Sequence, residues 1–516
     1  MTPQSRPRKG LGAAAASIGG ATMISRVTGL LRDIMIAAAL GAGPLADIFV
    51  VAFRLPNLFR RLFAEGAFSA AFVPLYARRL EAEDEASARQ FAAKVLAVLL
   101  AALLLFTALA QIFMPALVVA IAQGFTQDPA QFDLAVYHAR ITFPYLVFMS
   151  LLAFYAALLN ARGVFFAPAF APVLLNLVLI ASLALAAVLG AMPLGYLIWG
   201  VALAGLVQLL WVVIAAARRG ITVPLIRPQL DGDVRKLWRL AVPGILAAGI
   251  GQINLLVGTS IATAQSGAAA WLYYADRLYQ LPMGVIGVAL GVALLPSLSR
   301  DLAAGDDRQA RASQSQAVFI AMMLTIPASV GLAVLAEPLV QLFFERGAFA
   351  AADRSATALA VRAFCLGLPA FVLIKIVQPA FFAREDTRSP LVDGACGGIL
   401  NIGLSLALFD SLGHLAIAIA TSAAGWLTLV LMIIRIYARG YWRFELTLAR
   451  HLVGQVVAAL GMALALYAAQ SYLVTPIGLG ALLLYVLALV GLGAGVYAVL
   501  AMLFGGLRLG DLRRLR

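Results

Sequence analysis

Cysteine and histidine are almost missing from this chain, with 2 and 3 residues among 516. The two thiols, Cys365 and Cys396, each lie in an apolar segment, which argues against a disulfide framework or a metal cluster and assigns both to interior packing. His138, His414 and His451 stand near the ends of apolar segments and show no metal-ligand spacing. Charge is scarce as well: 12% of residues, about half the share in a soluble domain. No phosphate-cradling glycine loop, nucleotide motif or nucleophile–base pair occurs, so an ATPase, a hydrolase or any other enzyme is not expected. The alternating ten-residue segments of a membrane barrel are lacking too.

What is present is apolar: 63% of residues are hydrophobic and the mean hydropathy is +0.96. Runs of about 20 residues or more recur along the chain, and a helix of that length crosses the ~30 Å hydrocarbon core. With barrels set aside, a helical bundle is the remaining spanning form. The opening TPQSRPRKG resembles the basic start of a secretory signal, but Arg26 and Arg32 interrupt the apolar run behind it, so the segment is read as a retained first span. Fourteen spans are counted, from residues 11–41 to 477–506. Sorting their loops by parity puts nearly every arginine and lysine on one side and only Arg346 and Arg354 on the other. The positive-inside rule then places both termini in the cytoplasm, and the net charge of +14 reflects topology, with nucleic acid not called for as a partner.

The chain also repeats itself. FVPLYAR (72–78) matches LLPSLSR (294–300), and ARGVFFAP (161–168) matches AREDTRSP (383–390), both at an offset of 222 residues. An even number of spans per repeat makes the halves parallel, related by a pseudo-two-fold axis along the membrane normal. The expected fold is therefore an all-α integral membrane protein with 14 transmembrane helices. Residues 1–220 form one six-helix lobe, 221–440 a second, and 441–516 an added helix pair. Two such lobes are the architecture of a secondary transporter with alternating access, and the rival is a non-transporting membrane scaffold.

Ionisable groups at bilayer depth are costly and mark function by default. SRVTGLLRDIM carries Ser25, Arg26, Thr28, Arg32 and Asp33; Arg26 and Asp33 are seven apart and share a face. The next span carries Asp47, Arg54, Asn57, Arg60, Arg61 and Glu65, and Pro56 is expected to kink it. Asp276 and Arg277 lie in the eighth span and Asn176 in the fifth. Arginines in excess over acids favour an anionic substrate, since the planar guanidinium fork fits phosphate or carboxylate oxygens. Asn254, Asp393 and Asn401 are candidates for a coupling cation, H+ or Na+.

SRVTGLLRD, ADIFVVAFRLPNLFRRLFAEGAFSAAFVP, PAFAPVLLN and YYADRLYQLPMGVIGVALGVALLPSLSR together resemble the MurJ (MviN) lipid II flippases, within the MATE-like multidrug/oligosaccharidyl-lipid/polysaccharide exporter superfamily. The resemblance runs the full length. It implies transfer of undecaprenyl-diphosphate-linked peptidoglycan precursor between leaflets of the bacterial cytoplasmic (inner) membrane, in peptidoglycan synthesis and cell wall biogenesis. The diphosphate would sit in a central arginine-lined cavity. By motif position the cavity arginines are Arg26, Arg32, Arg60 and Arg277, with Asp33 orienting Arg32. Arg54, Arg61 and Asn176 join them, while Ser25, Asp47, Asn57, Glu65 and Asp276 serve gating or ion pairing. Gln280 stands where relatives are expected to carry a glutamate. Spans 13 and 14 would form a groove for the lipid tail with the second lobe. No cofactor is implied beyond a coupling cation and the membrane potential. Partners are lipid II, the bilayer and other cell-wall synthesis proteins, with the chain a monomer. A flippase for another undecaprenyl-linked oligosaccharide shares the diphosphate and stays open as an alternative.

Overall fold

The computed structural model describes residues 9–63, 67–82, 84–476 and 478–507, and every regular element among them is helical. The first half contains α1 (Lys9–Leu40), α2 (Pro44–Phe63), α3 (Ala67–Ala82), α4 (Glu85–Ile112) and α5 (Met114–Ile121). It continues with α6 (Pro129–Thr142), α7 (Tyr145–Ala161), α8 (Phe166–Val188), α9 (Pro193–Ala217) and α10 (Gly232–Ala262). The second half contains α11 (Ala268–Pro282), α12 (Ala289–Ala303), α13 (Asp307–Val334), α14 (Ala336–Phe343) and α15 (Ala351–Phe382). It ends with α16 (Arg388–Leu412), α17 (His414–Ala438), α18 (Leu446–Tyr472) and α19 (Leu479–Leu503).

Each apolar stretch of the sequence falls on one of these helices or on a helix in two pieces. Ten spans are long and apolar enough to cross a bilayer among the described residues. Helices α1, α2–α3 and α11–α12 hold most of the charged residues singled out above.

The 222-residue repeat is written into the helix boundaries. Glu85 and Asp307 start α4 and α13, and Phe166 and Arg388 start α8 and α16. Helices α4 and α13 both have 28 residues, and α5 and α14 both have 8. The reason is local: Asp84 and Asp306, again 222 apart, cap these helices by accepting from the backbone N–H groups of Ser87 and Gln309. Helix α2 runs through Pro56 to Phe63, and α3 is described from Ala67. In the second half, Pro282 ends α11 and a π-helical turn, Met283–Val288, leads into α12. A proline without an N–H forces the ladder to re-register there.

The chain packs as two compact units, Met1–Ser266 and Gly267–Arg516. This moves α10 into the first unit, against the expected boundary at residue 220, because α10 packs on α2, α3 and α5. Its first turn is tied by Arg79–Asp233 and Lys94–Asp231, both at 2.7 Å. Asp231 also caps α10 through the Val234 N–H at 3.0 Å. Partial burial works against its charge, yet the Lys94 ammonium and the Val234 N–H outweigh that and hold the carboxyl below its usual value. At the far end of α10, the Gly124 N–H donates to Thr263 Oγ1 at 3.2 Å. A Cβ on Gly124 would lie 2.2 Å from the Thr263 backbone, so only glycine permits this approach.

Within the first unit α1 lies along α8, and α7 and α8 flank α9. In the second, α15 and α16 flank α17, and the α18–α19 pair packs on α13. Leu335, Met462, Leu466, Leu489 and Tyr497 form a buried cluster there, and Tyr497 Oη donates to the Met323 carbonyl at 2.9 Å. Cys365 is buried as expected, but Cys396 is exposed: α16 packs on α17 by its other face, so interior packing does not describe that thiol.

Candidate functional site

Two adjacent charges on α1 are almost fully withdrawn, with Arg32 7% and Asp33 2% exposed. Arg32 curls back so that Nε (3.0 Å) and Nη2 (2.7 Å) donate to one Asp33 oxygen, Oδ1. Its Nη1 donates to Asn176 Oδ1 on α8 at 2.8 Å. The Asn176 amide then donates back to α1, to the Ser25 carbonyl at 2.9 Å and to Thr28 Oγ1 at 3.1 Å. Gly29 leaves room for the amide, since a Cβ there would sit 3.4 Å from Asn176 Nδ2. Burying an ion pair is tolerated when such added hydrogen bonds satisfy it. The spacing that put Asp33 on one face with Arg26 is real, but Asp33 pairs with its neighbour Arg32. Arg26 is half-buried and forms no side-chain hydrogen bond or ion pair among the described residues.

On α2, Asp47 is fully buried in the first turn, where the helix dipole favours negative charge. Arg54 Nη1 donates to Thr259 Oγ1 on α10 at 2.7 Å, and Thr259 passes its own proton to the Leu255 carbonyl at 2.7 Å. One turn on, Asn57 Nδ2 donates to the Phe53 carbonyl at 2.7 Å, and Arg60 Nε donates to Asn57 Oδ1 at 3.0 Å. Arg54, Asn57 and Arg60, three residues apart, form a half-buried polar ladder along α2. The Arg61 side chain and all of Glu65 lie outside the described residues.

In the second unit, the guanidinium carbon of Arg277 lies 4.6 Å from the centre of the Tyr273 ring, a cation–π contact one helical turn away. The Gln280 amide donates to the Asp276 carboxylate. A glutamate at position 280 would set two like charges at i, i+4, so the amide departs from the expected acid without electrostatic cost. Asp393 is fully buried, and both its oxygens accept from Arg435, Nη2 at 2.7 Å and Nε at 3.2 Å. Asn401, 6% exposed, accepts from Ser405 Oγ at 3.3 Å. Asn254 is half-buried on α10, in the other unit. The three candidates for cation coupling therefore do not form one cluster within either unit.

Two partners escaped the sequence reading. Thr259 is 205 residues from Arg54 and carries no local signal. Tyr273 was legible, because it precedes Arg277 by four residues on a helix.

The family model for the lipid II flippase MurJ matches residues 36–488. The chain belongs to the MurJ lipid II flippase family. A probable lipid II flippase MurJ of Rhizobium meliloti (strain 1021) is 47% identical over 470 residues, 90% of this chain and 88% of the relative. The lipid II flippase MurJ of Burkholderia cenocepacia is 36% identical over 454 residues, 87% of this chain and 88% of the relative. A solved lipid II flippase MurJ in an inward closed conformation has a TM-score of 0.81 at 23% identity, over 94% of this chain and 98% of that one. An inward-facing multidrug resistance MATE family transporter of the MOP superfamily gives 0.66 at 18%, over 82% of this chain and 98% of that one. These two share the fold. Membership of the MurJ family makes the chain a multi-pass protein of the bacterial cytoplasmic membrane and sets it among transporters.

Proposed function

We propose that the chain flips lipid II, the undecaprenyl-diphosphate-linked peptidoglycan precursor, from the inner to the outer leaflet by alternating access. The observation that carries this reading is the set of arginines on α1, α2 and α11, inside long apolar stretches of the sequence, in a chain nearly half identical to a probable lipid II flippase. Arg26, Arg60 and Arg277 offer guanidinium groups to the diphosphate, and Arg54 and Arg61 extend the set. Arg32 contributes once the diphosphate displaces Asp33 or Asn176, whose contacts hold it in place until then. Charge-assisted hydrogen bonds to phosphate are about twice as strong as neutral ones, which suits a head group that leaves water.

The polyprenyl tail needs no polar partner. A cavity of about 390 Å³ in the second unit, with Leu281, Pro327, Phe343, Met462 and Leu489 on its walls, is apolar throughout and is our candidate for one end of that tail. An inside-negative membrane potential would favour return of a positively charged empty protein, at about 2.3 kcal/mol per charge per 100 mV. A coupling cation, H+ or Na+, remains part of the reading, with Asn254, Asp393 and Asn401 as separate candidates for contacting it.

Complementation tests it. In a bacterium depleted of its own lipid II flippase, the wild-type chain should restore growth, while Arg26→Ala and Arg277→Ala at equal protein level should not. Full rescue by both variants contradicts the anion-binding role. Failure of the wild type to rescue, with rescue instead of a strain lacking another undecaprenyl-linked sugar flippase, assigns a different head group.

A further inference from the structure

The first unit contains a second cavity, of about 840 Å³, remote in character from the arginine-bearing faces. It opens among the ends of α2, α6, α8 and α9, with His138, Ser182, Gly195 and Trp199 on its walls. Its mouth is formed by Leu185, Met192, Trp199 and Leu203, which are 51%, 66%, 63% and 52% exposed. In a membrane span such residues face hydrocarbon, so what enters this cavity comes from the bilayer. One polar ring stands among these apolar walls. His138 is only 6% exposed, and its Nδ1 is buried without a hydrogen-bond partner. A buried polar atom of this kind is rare, and the ring that carries it lines the cavity.

The internal repeat shows that this is not a packing defect common to both halves. Carried 222 residues on, His138 becomes Ala360, and Trp199 becomes Ala420 through the α9–α17 match. Both alanines are 0% exposed, as is Ala416, the counterpart of Gly195. The second unit closes the same corner with small side chains, while the first holds it open and adds an imidazole.

Depth selects the ligand. Helices α6 and α7 together supply a span of 33 residues, ~50 Å at 1.5 Å per residue, against a ~30 Å hydrocarbon core. Centred in the bilayer, roughly 10 Å projects at each end, and His138 lies about 13 Å from the start of α6. That is just inside the hydrocarbon boundary, at the level of glycerol ester carbonyls, in the leaflet on the arginine-poor side. We infer that this cavity is a glycerophospholipid site: one acyl chain fills the apolar volume and its ester carbonyl accepts from an N–H of the His138 ring that lines it. Ser182 cannot supply that donor, because its hydroxyl is given to the Val178 carbonyl at 2.9 Å.

Gly195 provides the means of testing it. A Cβ there meets nothing within 4 Å, so Gly195→Trp fills the cavity without a clash at the backbone, and Gly195→Ala serves as the folding control. The full-length protein is placed in nanodiscs containing phosphatidylethanolamine with a diazirine in its acyl chain, irradiated, and mapped by peptide mass spectrometry. The expected result is labelling of 129–142 and 193–203 at least about fivefold above the lipid-facing α19. That excess should vanish in Gly195→Trp, persist in Gly195→Ala and fall severalfold in His138→Phe, which keeps the cavity apolar. Labelling of the wild type no stronger than α19, or unaltered in Gly195→Trp, overturns the site. Displacement of the label by undecaprenyl phosphate well below the phospholipid concentration overturns the phospholipid assignment.

Discussion

The two halves of the chain share a helix ladder yet differ where charge is buried. In the first, Arg32, Asp33 and Asn176 tie α1 to α8. The residues 222 further on are Asn254, Leu255 and Gly398, which cannot make that network, and the helix carrying the first two, α10, packs on α2, α3 and α5 instead. In the second half the buried ion pair joins α16 to α17 through Asp393 and Arg435, where the first half has Ala171 and Ile214. Duplication thus fixed the lengths and caps of the helices, and later substitution decided which helix pairs are locked together.

The largest effect should come from breaking the first-half lock. Arg32→Ala or Asp33→Ala leaves one buried charge uncompensated and should cost about 3–5 kcal/mol. The double variant should regain most of that, seen as recovery of Tm in the purified protein; equal loss in the single and double variants would show that the pair is not what carries the stability. In the second half, Asp393→Asn should cost somewhat less, about 2–3 kcal/mol, because Arg435 is 36% exposed and can turn to water. Giving that half the first half's own residues, Asp393→Ala with Arg435→Ile, should restore Tm to near the wild-type value.

A third comparison concerns Gly124, whose counterpart in the second half is Arg346. Gly124→Ala must push the 3-10 turn at Gln123–Gln127 off the end of α10, for about 1–3 kcal/mol of overpacking. Faster amide exchange in α10 with unchanged exchange in α15 would be its mark. The smallest effect belongs to Lys94→Ala, since a partly exposed ion pair contributes about 1 kcal/mol or less. Its pH dependence has a fixed sign. The folded-state pKa of Asp231 is depressed, so the contribution is present above the usual ~3.9 and fades as pH falls through the lowered native value. Wild type and Lys94→Ala should therefore converge in Tm on acidification.

Much of the fold was legible because its signals are local. Apolar runs marked the helices, Asp84 and Asp306 marked two starts, and short matches such as FVPLYAR and LLPSLSR carried the repeat. The partner of a helix is not local. Nothing near α10 announces that Asp231 meets Lys94, 137 residues away, or that Thr263 meets Gly124, so the boundary between the units was expected 46 residues too early. The same limit applies to the arginines. Their depth was readable from composition, whereas the neutralisation of Arg32 depends on Asn176, 144 residues on, as well as on its neighbour. Cys396 failed for a simpler reason: apolar surroundings in a membrane protein mark the lipid face as well as the interior.

The central claim, that arginines at bilayer depth bind the diphosphate, is tested most directly by titrating purified lipid II into the detergent-solubilised protein and comparing wild type with Arg26→Ala. Arg26 forms no side-chain hydrogen bond or ion pair among the described residues, so its loss should leave Tm unchanged and weaken binding about 10-fold or more, as expected for one charge-assisted hydrogen bond. Equal affinities for the two proteins would contradict the account.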